Sequence, residues 1–141
     1  MKELNMYIPI RDENNFMIKY YQYLFNKYWS RDVQVYFLGY KEPDIELDDN
    51  IHFISLLPER DSDPKAWSAP IMNYIENIED EYFYFSVEDL LIIRHVDAEL
   101  LSACREMMNE GIGRIDLWNS VQFDPGRHGW VKDNGKRLVN V

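Results

Sequence analysis

Two adjacent carboxylates, Glu88 and Asp89, interrupt an otherwise apolar and aromatic run, YFYFSVEDLLII at residues 82–93. Side by side among hydrophobic neighbours they repel each other and lose hydration, so a cation, a hydroxyl or water must answer them. A hard divalent metal does so through oxygen ligands, and that is the chemistry this pair points to. The plain alternative is a solvated loop or a helix cap, because every strand that leaves a core must meet polar residues.

The elements around the pair decide what it can reach. Residues 82–87 show no polar alternation, which predicts a strand buried on both faces in the middle of a parallel sheet. Its C-terminal end is then where an open α/β sheet takes its ligand. Upstream, residues 4–10 (LNMYIPI) read as a first strand, with Pro9 near its end. Residues 16–29 have helical spacing, with apolar positions Phe16, Tyr20, Tyr23, Leu24 and the 25–28 turn, and Asp12 or Asn14 as the cap. Residues 33–38 (VQVYFL) form a second strand closed by Gly39, and 51–56 (IHFISL) a third.

A long polar connection, 58–67, leads to a helix capped by Ser68, with Pro70 in its first turn and Trp67 stapled onto Met72. Ile71, Ile75 and Ile78 are its buried face. Asp97 caps a third helix with the stripe Leu100, Leu101, Cys104, Met107 and Met108, and Gly111 stops it. Residues 112–117 (IGRIDL) and 137–141 are further strand candidates, and the tail beyond 117 adds at least one irregular or antiparallel element. Alternation of strands and helices gives the fold class: one α/β domain over 1–141, an α/β/α sandwich with a mostly parallel central sheet.

Composition excludes several functions. The chain carries 25 acidic against 15 basic residues, a formal charge of −10, which opposes polyanion and anionic-membrane binding, so no nucleic-acid partner is expected. No apolar run is long enough for a membrane span and no leader pattern opens the chain, which predicts a soluble, cytoplasmic protein. One cysteine, Cys104, leaves no intramolecular disulfide and no Cys-based zinc cluster. Neither Gly-x-Gly-x-x-Gly nor a Walker-type loop follows the first strand.

Three segments resemble the GT-A-type nucleotide-sugar glycosyltransferases, in particular small bacterial and phage members: IPIRDE after the first strand, RDSDPKAWSAPIMNYI before the second helix, and EYFYFSVEDLLIIRHVDAELL. The resemblance covers about residues 4–117 in the order of elements, and its most specific part surrounds Glu88 and Asp89. It implies a Rossmann-like GT-A fold and a metal-dependent transfer of a sugar from a nucleotide-diphosphate sugar, of UDP type, to a hydroxyl acceptor such as a saccharide. The alternative is a non-catalytic domain that binds the nucleotide sugar with the donor half of the fold alone.

In such enzymes the acidic pair stands where an Asp-x-Asp motif holds Mn2+ or Mg2+ on the donor diphosphate. Here the motif is Val87-Glu88-Asp89, with Asp89 the first choice of ligand and Glu88 either a second ligand or an acceptor for a ribose hydroxyl. The resemblance further implies that Pro9, Ile10 and Arg11 line the nucleotide, with Gly39 or Tyr40 closing the pocket. Arg60, Asp61 and Lys65 would lie beside the donor, and His128 in DPGRHGW would supply a third metal ligand. An inverting transfer needs a general base, for which Asp116 and Asp124 are candidates. The chain ends near where such enzymes continue into the acceptor half, so the acceptor site is expected to be small, borrowed from another subunit of a homo-oligomer, or missing.

Overall fold

A computed structural model describes residues 4–56, 68–117 and 137–140. The chain divides into two compact units, Met1–Val96 and Asp97–Val141. The first is built on a four-stranded sheet of β1 (Met6–Pro9), β2 (Val35–Gly39), β3 (Ile51–Ser55) and β4 (Tyr84–Phe85), in the order β3-β2-β1-β4. Every pairing in it is parallel, with Met6 opposite both Val35 and Tyr84, and Val35 opposite Ile51. All four strands therefore end at the same edge.

Strand periodicity sorts the core into two faces. Met6, Ile8, Val35, Phe37 and Ile51 point to one side, where Ile18, Tyr21 and Phe25 of helix α1 (Met17–Tyr28) pack on them. Tyr7 and Leu38 point to the other, under Ile71 of helix α2 (Ser68–Glu76), with Tyr74, Ile75 and Ile78 at the margin. The fold is α/β, with one helix on each face of a parallel sheet. Ile71, Ile75 and Ile78 face inward as their spacing predicts. Trp67 lies outside the described residues, and Met72 is exposed.

Three expectations need correction. The aromatic run at 82–87 is not a central strand: β4 has two residues, stands at the edge of the four-stranded order, and leaves Phe85 56% exposed. The physical reason is Pro9. Tyr84 and Ser86 donate their N–H groups to the carbonyls of Asn5 and Tyr7, and the next rung in register requires an N–H that proline lacks. The long sequence run continues as loop, and Leu91 and Ile92 pack against the core without joining the ladder.

The second correction concerns α1. Its buried positions are Ile18, Tyr21 and Phe25, whereas Phe16, Tyr20 and Tyr23 face solvent. Both stripes fit a 3.6-residue period, and the sheet takes the one flanked by Leu24 and Tyr28, with the lysines left outside. Nor do Asp12 or Asn14 cap α1: Phe16 occupies the N-cap without a side-chain bond, and Asp12–Asn14 form a 3-10 turn before it.

In the second unit, Asp97 Oδ1 accepts the N–H groups of Glu99 and Leu100 at 3.0 Å each and starts helix α3 (Ala98–Asn109). Leu101 and Cys104 are its buried residues, and Gly111, at φ 94°, stops it in a conformation that favours glycine. The third correction concerns the tail, expected to add an irregular or antiparallel element, whose residues 118–136 lie outside the described residues. β5 (Ile112–Asp116) pairs with β6 (Arg137–Asn140) in parallel, not antiparallel. The twenty residues between them exceed what a parallel crossover needs.

Candidate functional site

The C-terminal edge of the four-stranded sheet is built from the segments after β1, β2, β3 and β4, and backbone bonds lock the first three together. Ile10 N–H donates to the Leu38 carbonyl at 2.9 Å, and Leu56 N–H to the Gly39 carbonyl at 2.9 Å. Gly39 permits this close fit: a Cβ there would stand 2.8 Å from Phe53 Cζ and 3.1 Å from Ile10 Cγ2, inside van der Waals contact. Asp12 Oδ1 accepts the Lys41 N–H at 3.0 Å, and Asn15 Nδ2 donates to the Lys41 carbonyl at 2.7 Å. Ser55 Oγ donates to the Tyr40 carbonyl at 2.9 Å. Of the residues expected to line a nucleotide, Pro9 and Gly39 end adjoining strands and Ile10, Arg11 and Tyr40 follow them at the same edge, with Pro9, Ile10 and Gly39 buried and Arg11 exposed.

Glu88 and Asp89 join this edge from the turn after β4, where Leu90 N–H donates to the Val87 carbonyl. Their two carboxylates differ. Glu88 is nearly covered, its side chain 13% exposed, and its Oε1 accepts from Asn14 Nδ2 at 2.8 Å and lies 3.7 Å from Arg11 Nε. Asp89 is exposed and has no partner among the described residues. The cation that the acidic pair calls for is therefore supplied, for Glu88, by the protein itself. Arg11 is 66% exposed and divides its charge between Glu88 and Glu13, whose Oε1 is 3.4 Å from Nη1.

Asn14, a candidate helix cap by its place in the sequence, instead belongs to this group. A short polar run after a strand offers no signal that separates a cap from a side chain reaching a carboxylate 74 residues away. Asp116 belongs to β5 in the second unit. Arg60, Asp61, Lys65, Asp124 and His128 lie outside the described residues.

The remaining histidines have structural partners. His52 Nε2 is 2.8 Å from Gln34 Oε1 and its ring stacks on Tyr36. His95 meets Tyr28 edge to face and precedes α3. Among the described residues no group of three or more His, Cys, Asp or Glu could hold a metal ion. The carboxylates fit a divalent ion in one form only, in which one or two protein oxygens are completed by phosphate oxygens of a ligand, a set that Mg2+ commonly accepts. No family model matches the chain, and no curated protein or solved structure matches it. No helix among the described residues is long and apolar enough to cross a membrane.

Proposed function

We propose that this edge binds a nucleotide-diphosphate sugar, of UDP type, and that the chain is a metal-dependent glycosyltransferase. The observation that supports the reading is the convergence of Arg11, Asn14, Glu88 and Asp89 on the C-terminal edge of a parallel sheet, the edge where open α/β sheets bind ligands. The exposed Arg11 guanidinium offers a two-donor fork to a phosphate. Asp89 is the carboxylate open to a divalent ion, and Glu88 orients Arg11 and Asn14. Mn2+ or Mg2+, when bound, would neutralise the diphosphate leaving group. In the transfer, an acceptor hydroxyl oxygen forms a bond to the anomeric carbon as the bond from that carbon to the phosphate oxygen breaks. The electron pair leaves with the diphosphate, and the hydroxyl proton passes to a base in an inverting reaction.

A non-catalytic nucleotide-sugar-binding domain is the second reading. It is favoured by the engagement of Glu88 with Arg11 and Asn14, which leaves one carboxylate open where leaving-group neutralisation would gain from two. Calorimetric titration of UDP with Mn2+, with EDTA and with Asp89→Ala tests the site. Affinity should fall about tenfold or more, about 1.4 kcal/mol, on removing either the metal or the Asp89 carboxylate. Undiminished binding in EDTA removes the metal from the proposal, and no binding to any nucleotide removes the donor site. UDP release from a UDP-sugar then separates the enzyme from the binder.

A further inference from the structure

Helix α1 is aromatic on two sides. One stripe, Ile18, Tyr21 and Phe25, is in the core. The other runs along the solvent side as Phe16, Tyr20 and Tyr23, which are 60%, 56% and 63% exposed. At 100° per residue these three lie within about 60° of one another around the helix axis, and at 1.5 Å per residue they are spaced by about 6 and 4.5 Å along it. Lys27 continues the stripe, its ammonium 5.7 Å from the Tyr23 ring centroid and 5.0 Å from that of Tyr28. Tyr23 is thereby braced, so a ligand orders less on binding it. Exposed large rings in a row are not explained by packing.

From this we infer that the stripe is a platform for a neutral saccharide chain, stacked on the rings through the C–H faces of its pyranose units and hydrogen-bonded through its hydroxyls to the tyrosine hydroxyls and Lys19. Three features select this occupant. The stripe begins at Phe16, two residues beyond Asn14, so it is continuous with the edge proposed to hold a sugar donor. This part rests on that reading and gives the chain the role of acceptor.

The exposed rings present roughly 350 Å2, well below the roughly 800 Å2 per partner of a stable protein interface, which disfavours a second copy. Thirdly, the acidic connection after β2 is tied to α1. Gln22 Nε2 donates to the Glu46 carbonyl at 3.1 Å and Asn26 Nδ2 to Asp48 Oδ2 at 2.6 Å. Its carboxylates flank the helix and offset the charge of Lys19 and Lys27, which weakens attraction to an anionic lipid surface.

The test is affinity electrophoresis of the whole chain through gels containing laminarin, mannan or dextran, for wild type and for Phe16→Ser/Tyr20→Ser/Tyr23→Ser, with circular dichroism to verify folding. Retardation by at least one of these polysaccharides should weaken about tenfold in the triple variant, at unchanged UDP affinity. Tyr20→Phe/Tyr23→Phe, which keeps the rings, should retain most of it. No retardation of the wild type, or equal retardation of wild type and triple variant, overturns the platform. Sedimentation with phosphatidylcholine vesicles, or self-association, that the triple variant abolishes would overturn it in favour of a membrane or a second copy. A wild type that is retarded but binds no UDP leaves the platform and removes the donor site, whereas UDP binding without retardation does the reverse.

Discussion

Two carboxylates bracket β4, and the protein treats them differently. Asp80, before the strand, accepts from Tyr7 Oη at 2.7 Å and from Asn5 Nδ2 at 2.8 Å, both neutral donors on β1 or next to it. Glu88, after the strand, accepts from Asn14 at 2.8 Å and faces the exposed Arg11. Each ties β4 to the β1 region across more than seventy residues of chain. At the Asp80 end the partner is a phenol on a residue only 4% exposed, so the bond cannot be exchanged for water without cost. At the Glu88 end the charged partner is largely solvated, so it can trade the carboxylate for a ligand anion at small loss. The first contact braces the sheet, and the second is suited to a site.

Three experiments put this contrast at risk. Asp80→Ala strands the buried Tyr7 hydroxyl and should destabilise the fold by about 2 kcal/mol, read as a lower denaturant midpoint, with UDP affinity unchanged. A smaller loss than that of Glu88→Ala would reverse the assignment. Tyr7→Phe should cost about 1 kcal/mol and also alter the alkaline limb of stability. Burial and the Asp80 carboxylate raise the Tyr7 phenol well above its ordinary value of 10.0, and burial raises Tyr21 as well.

A raised folded-state pKa means that their contribution is complete below about pH 10 and is lost as pH rises above it, because the unfolded chain releases its protons first. Denaturation followed from pH 8 to 11 should therefore show falling stability, less steeply in Tyr7→Phe; equal slopes would show that the phenol is not held neutral by the fold. The smallest effect belongs to the other end. A double-mutant cycle of Arg11→Met and Glu88→Gln, measured on the free protein, should give a coupling of about 0.5 kcal/mol or less. A coupling near 2 kcal/mol would make Arg11 and Glu88 a second brace.

The β1–α1–β2 unit, β3 and the Asp97 cap were legible because each rests on a local signal: a short apolar run, a punctuating Gly39, an acidic N-cap with free amides ahead of it. β4 was not, since its length is set by an N–H missing from another strand. The orientation of α1 was hidden for a different reason. With aromatic residues at Phe16, Tyr20, Tyr21, Tyr23, Phe25 and Tyr28, two stripes satisfy the same period, and only the sheet opposite decides between them. At the site, the acidic pair and Arg11 stand out in the sequence, but their mutual pairing depends on the parallel register that brings residues 11–14 against residue 88.

Pro9 has a consequence during synthesis. β1 is complete once Pro9 has emerged, and β2 and β3 can pair beside it once residue 55 has followed, but its other side waits for residues 84–86. For that interval the nascent sheet has an open flank that could recruit another chain. A proline on that flank removes one of its donors and shortens the template available for mispairing. The same missing N–H that limits β4 to two residues thus guards the half-made protein against assembling with its neighbours on the polysome.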